Sequence, residues 1–160
     1  MNERKEIKLE SSLDEMFKVE QFVEEISDEY LLYGNYFGNI LIALTEAVQN
    51  AMIHGNGLNT HKHVGITLES TKEGLWIGVN DQGAGFDYRS YSSGTEPEND
   101  SAQGNNGLFL IHRLADEVRF QNNGRTIEML FRINGIEDGI FARRMTLMQD
   151  FFRVYHRLST

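Results

Sequence analysis

The sequence predicts an α+β fold: a two-layer sandwich in which a mainly antiparallel, mixed sheet carries helices on one face, followed by a C-terminal amphipathic helix. Three observations carry this expectation. Apolar residues alternate in two pairs of segments separated by short turns, the signature of β-hairpins. Before and between them, apolar residues recur at three- and four-residue spacing, the signature of amphipathic helices. The resulting order is strand, two helices, hairpin, loop, helix, hairpin, which groups helices and strands as a two-layer domain does.

A first strand is expected near Glu6–Glu10. Ser11 or Ser12 can cap a helix running to about Leu32, in which Leu13, Phe17, Val19, Phe22, Val23 and Ile26 recur at helical spacing. Gly34-Asn35 breaks it, and a second helix is expected from about Tyr36 to Ile53, ending at Gly55. Val64, Ile66 and Leu68 alternate, Lys72-Glu73-Gly74 turns the chain, and Leu75, Ile77 and Val79 alternate again. A polar loop, Tyr88 to Asn106, leads to a short helix with Leu108, Ile111, Leu114 and Ala115 inward. Val118 and Phe120 then run into a turn at Asn123-Gly124, and Ile127, Met129, Phe131 and Ile133 share one face of the returning strand. Beyond Asn134 the pattern changes to a helical stripe of Phe141, Met145, Met148, Phe152 and Tyr155. Residues 1–134 therefore read as one domain and 135–160 as a helical extension whose apolar face needs a cover.

The 160 residues suffice for one domain with a real core. A net charge of −9 without any Lys/Arg run argues against a nucleic-acid surface. The absence of cysteine excludes disulfides and thiolate metal sites, and fits a reducing compartment. MNERKEIKLE holds no apolar signal core, and no apolar stretch approaches membrane-spanning length, so the expected location is the cytoplasm.

Three segments carry candidate chemistry. In LTEAVQNAMIHGN the main apolar face is expected at Phe37, Leu41, Leu44, Val48 and Met52, with Ile42 and Ile53 on another side. Glu46, Asn50 and His54 stand four apart in a polar stripe flanked by the small Ala43, Ala47 and Ala51. Such a stripe is either a solvated face or a ligand-facing one; a carboxylate and an amide oxygen one turn apart suit Mg²⁺. In VNDQGAGFD, Asp81 ends a strand and can accept a hydrogen bond from an amine, while Gly83 and Gly85 permit positive φ and a close ligand. The same pattern also describes a plain turn leaving a sheet. In GNNGLFLIHRLADEV, Gly107 opens a helix after a glycine-bearing loop; this is either ordinary helix entry or a phosphate-binding helix N-terminus.

Together and in this order, the segments resemble the N, G1 and G2 boxes of the GHKL ATPase superfamily, and within it the stand-alone anti-sigma factor serine kinases of the RsbW-like type. The resemblance runs from Lys5 to Ile133 and implies the Bergerat-type ATP-binding fold. It implies that Asn50 ligates Mg²⁺, that Asp81 binds the adenine amino group, and that Gly83, Gly85 and Phe86 shape the adenine pocket. Gly104, Asn105, Asn106, Gly107 and Leu108 would carry the phosphates of ATP, with Tyr88–Gln103 as a lid. Glu46 would be the general base for transfer to a serine or threonine. The implied partners are a sigma factor, a small antagonist protein and a second copy of the chain, with the C-terminal helix contributing to a homodimer. One departure stands out: Asn105 occupies the first glycine position of the G2 pattern, with Gly104 one place earlier. Asparagine tolerates left-handed backbone, but the substitution favours an alternative function, a nucleotide-gated binding module without kinase turnover. His61 and His63 lie near one strand without an evident third metal ligand, and His112 is expected to be an exposed polar residue.

Overall fold

The second hairpin strand organises the sheet. In the computed structural model, which describes residues 3–32, 34–86 and 105–133 (Asn105 and Asn106 in backbone only), β2 (His63–Thr71) and β3 (Gly74–Asn80) pair antiparallel. Ile66 faces Val79 and Leu68 faces Ile77 across this pair. Gly74, at φ 142°, lies so close to the Phe131 carbonyl that a side chain would not fit. β1 (Arg4–Glu10) adds to β2, and β5 (Thr126–Phe131) adds to β3 and carries β4 (Glu117–Gln121) beyond it. The order is β1-β2-β3-β5-β4, and every pairing among the described strands is antiparallel.

Strand alternation sends Leu9, Val64, Ile66, Leu68, Leu75, Ile77, Val79, Ile127, Met129 and Phe131 to one face, where all are buried. α1 (Phe17–Tyr30), α2 (Asn35–Asn50) and α3 (Asn105–Leu114) supply the apolar side chains of the same core. On the opposite face Leu130 is also fully buried, flanked by Trp76 on β3 and Glu117 on β4. The Arg119 guanidinium lies 4.2 Å from the centre of the Trp76 ring, a cation–π contact reaching across the strand that carries Leu130.

Two helix boundaries differ from expectation. Ser12 caps not the α-helix itself but a 3₁₀ turn, Leu13–Met16, that precedes it. Three residues per turn interrupt the 3.6-residue period, and Leu13 and Phe17 stand about half exposed instead of joining the core stripe. α2 stops at Asn50 and continues as one π-helical turn, Ala51–Gly55, closed by the Asn56 N–H donating to the Ala51 carbonyl at 2.8 Å. The inward face of α2 is Ile40, Ala43, Leu44, Ala47 and Val48, so the alanines are core residues, while Ile42 and Ile53 are exposed. No helix among the described residues is long and apolar enough to cross a membrane. The expected lid, Gly104 and the tail stripe from Phe141 to Tyr155 lie outside the described residues.

Candidate functional site

A cavity of about 230 Å³ opens where the three sequence segments meet. Ala47, Asn50 and Ala51 form one wall, and Asp81, Gly85 and Phe86 another. Leu108 and Ile111 of α3 enter from the side, and Val79, Phe120 and Ile127 give it an apolar floor. The small side chains at 47 and 51 are what leave this space between helix and sheet. An apolar cleft with a few convergent polar groups is the usual form of a small-molecule site.

Asp81, directly after β3, is held in a defined pose. Its N–H donates to the Arg125 carbonyl at 2.9 Å, and its Oδ1 accepts the Gly83 N–H at 2.8 Å. Burial holds its carboxyl above the ordinary carboxylate range, against the Gly83 N–H and the positive charges of Arg125 and Lys62. The two glycines of the loop serve different ends. Gly85 has φ 84°, and any Cβ there would strike the Asn123 carbonyl oxygen. Gly83 has no left-handed backbone; it is needed because a Cβ would collide with the Gly55 carbonyl. Gly55 is in turn pressed against Asp81, whose Oδ2 would lie 2.5 Å from its Cβ. Of the two expected properties, positive φ holds at Gly85 alone, while both glycines lie against a backbone carbonyl of another segment.

The loop also packs on the β4–β5 turn. The connection spans residues 122–125, two more than the two-residue turn expected, and Asn122, Asn123 and Gly124 take φ of 54°, 57° and 82° in succession. Phe86 donates its N–H to the Asn123 carbonyl at 3.0 Å, and its ring meets Phe120 edge-on at 5.6 Å. A Cβ on Gly124 would sit 2.6 Å from the Phe86 carbonyl.

Glu46, Asn50 and Gly107 converge at the α2–α3 contact. A Cβ placed on Gly107 would stand 2.7 Å from Glu46 Oε2, 3.2 Å from Asn50 Nδ2 and 3.6 Å from Asn50 Oδ1. The missing side chain thus leaves a small cradle lined by a carboxylate and an amide, on the first turn of α3 rather than at its opening residue. His54 lines the cavity but is otherwise exposed.

Phe120, Gly124, Arg125 and Ile127 belong to the cavity although no motif singled them out. Their sequence signals are the alternation that puts 120 and 127 inward and the Asn-Gly turn at 124. His112 is not the exposed residue expected: Nε2 is buried with no hydrogen-bond partner among the described residues, the ring lies 6.3 Å from that of Phe120, and burial lowers its pKa. No cluster of three or more His, Cys, Asp or Glu capable of holding a metal occurs among the described residues, so His61 and His63 gain no third ligand.

Comparison with known proteins agrees with this architecture. The family model described as histidine kinase-like ATPase domain matches residues 9–131. The serine-protein kinase RsbW of Staphylococcus epidermidis is 36% identical over 97 residues, covering 56% of this chain and 61% of that protein. RsbW of Bacillus subtilis strain 168 is 32% identical over 104 residues, covering 61% and 65% respectively. RsbW of Staphylococcus aureus strain MSSA476 is 35% identical over 96 residues, covering 55% and 60%. The chain thus spans less than two thirds of the length of these relatives. With the family match covering most of its length and its three motifs set around one cavity, the chain belongs to the histidine kinase-like ATPase domain family, the GHKL superfamily.

Proposed function

We propose that this protein is an ATP-dependent protein serine/threonine kinase that also sequesters a sigma factor, and that its substrate is a small antagonist protein. The observation that carries the reading is the convergence of Glu46 and Gly107 on Asn50, which lines the same cavity as Asp81. The names of the RsbW relatives, serine-protein kinases, support the activity.

In this reading Asp81 accepts the adenine amino group, and Gly83, Gly85 and Phe86 let the base lie against the backbone. The first turn of α3, with Gly107 and Leu108, offers backbone N–H groups to phosphate oxygens, together with Asn105, Asn106 and the preceding Gly104. The Gly107 cradle suits a small oxygen-seeking ion: the Asn50 amide oxygen would be its protein ligand, as Mg²⁺ takes few ligands from protein and the rest from phosphates and water. Bound there, the ion would supply charge neutralisation at the transferred phosphoryl group. Glu46 takes the proton from the attacking hydroxyl. Residues 1–134 form the catalytic domain, and the extension 135–160 contributes to a homodimer working in the cytoplasm.

The test is recovery of the tagged protein from its native cells, followed by incubation with γ-labelled ATP. Label appearing on a small co-purified protein, at serine or threonine, is the expected result. A sigma factor recovered with no protein labelled would replace the kinase by a nucleotide-gated binding module.

A further inference from the structure

Ser11 and Asn56 are the buried polar residues among the described residues, 0% and 4% exposed. Asn56 follows the π-turn and spends its amide on three partners. Nδ2 donates to Ser11 Oγ at 2.7 Å and to the His63 carbonyl at 3.0 Å, and Oδ1 accepts the Gln82 N–H at 2.8 Å. Gln82 is held a second time, its Oε1 accepting the His63 N–H at 2.7 Å. Ser11 Oγ in turn donates to the Lys62 carbonyl at 2.9 Å.

The consequence appears in the chain after β3. Three successive amides are bonded there: Asp81 to the Arg125 carbonyl, Gln82 to Asn56 Oδ1, and Gly83 to Asp81 Oδ1. The middle one alone goes to a side chain from another element. A residue needed merely to fill the gap between β1, β2 and this loop would be apolar, because burying an amide stabilises nothing unless every polar atom is paired. Asn56 pairs all of its polar atoms, and one partner is the peptide next to the cavity carboxylate.

We infer that Asn56 is a positioning residue: by fixing the backbone at Gln82 it sets the direction of the Asp81 carboxylate, and with it the preference of the cavity for an adenine base. The inference rests on the nucleotide reading given above. Replacing Asn56 releases Gln82 and lets Asp81 swing, although Asn56 itself touches no ligand.

The experiment compares Asn56→Ala with Ser11→Ala, which removes a bond from the same buried cluster but leaves the Gln82 amide paired. Three quantities are read on each full-length protein: the melting temperature, hydrogen exchange at the Gln82 amide, and calorimetric affinities for ATP and GTP. Both variants melt lower. In Asn56→Ala the Gln82 amide exchanges faster, ATP affinity falls about tenfold, the fold-change of one lost buried hydrogen bond, and the ATP-to-GTP ratio shrinks. Ser11→Ala keeps the wild-type ratio and the protected amide. An Asn56→Ala protein with wild-type ATP affinity and selectivity would overturn the inference and leave Asn56 as packing. If that variant does not fold, Asn56→Leu keeps the side-chain volume while removing the same bond, and the same two outcomes decide. A wild type that binds neither nucleotide would refute the nucleotide reading and its selectivity, while exchange at Gln82 would still decide the positioning.

Discussion

Replacing Asp81 by asparagine keeps the shape of the side chain and changes its chemistry at one point. The amide oxygen can still accept the Gly83 N–H that Oδ1 accepts at 2.8 Å. The other position then presents an N–H₂ to the cavity where the carboxylate presented an acceptor, so an adenine amine meets a donor. The loss is one hydrogen bond to a charged group, about 1.5–3 kcal/mol, or roughly ten- to a hundredfold in affinity. Stability should move the other way. Burial raises the folded pKa of Asp81, so its contribution is fully present below the unfolded value, about 3.9, and is lost as pH rises through the folded value. At neutral pH the ligand-free Asn variant therefore melts no lower than the wild type while binding ATP far more weakly. Calorimetry with ATP and thermal melting without ligand read the two effects. A variant that binds ATP within threefold of the wild type, or that loses affinity only in proportion to lost stability, refutes the assignment of Asp81.

Glu46→Gln should bind ATP nearly as the wild type does and lose transfer to its protein substrate by about 10²–10⁴-fold; a single-turnover assay with wild-type rates would remove Glu46 as the base. Gly107→Ala places a methyl 2.7 Å from Glu46 Oε2, forcing the carboxylate back. Since displacements near 1 Å cost about a hundredfold in rate, transfer should fall steeply with little change in melting temperature, and unchanged transfer would contradict the convergence at the cradle. His112 is held neutral by burial, so its contribution is present above the unfolded pKa, about 6.5, and is lost as pH falls through the depressed folded value. Denaturant titrations should show a shallower loss of stability between neutral and mildly acidic pH for His112→Phe, and identical slopes would contradict the buried Nε2.

Alternating and helical periods exposed the sheet, the three helices and their order, because burial of one face leaves a strict pattern in Val64–Leu68, Leu75–Val79 and Ile127–Phe131. Periodicity failed where the backbone leaves its regular geometry. The 3₁₀ turn that exposes Leu13 and Phe17 and the π-turn after Asn50 depend on how the chain docks against β2 and the loop after β3. The site was legible in its motif residues, Asp81, Gly83, Gly85 and Gly107, since glycines beside a carboxylate mark close approach. Its tertiary members were not. Phe120 and Arg125 fall outside the three motif segments, and the bonds of Asn56 join residues 45 and 26 positions away. His112 was misjudged because only the packing of α3 on β4 shows that its ring is enclosed.

In the proposed reading, the Asp81 cavity and the Gly107 cradle form one adenine-nucleotide site. A crystal structure of the full chain with Mg²⁺ and a non-hydrolysable ATP analogue tests it most directly. The expected density places the adenine amino group on the Asp81 carboxylate, the phosphates along the first turn of α3, and the ion on the Asn50 amide oxygen beside Glu46. Density for the analogue elsewhere, or an empty cavity at saturating concentration, would contradict it.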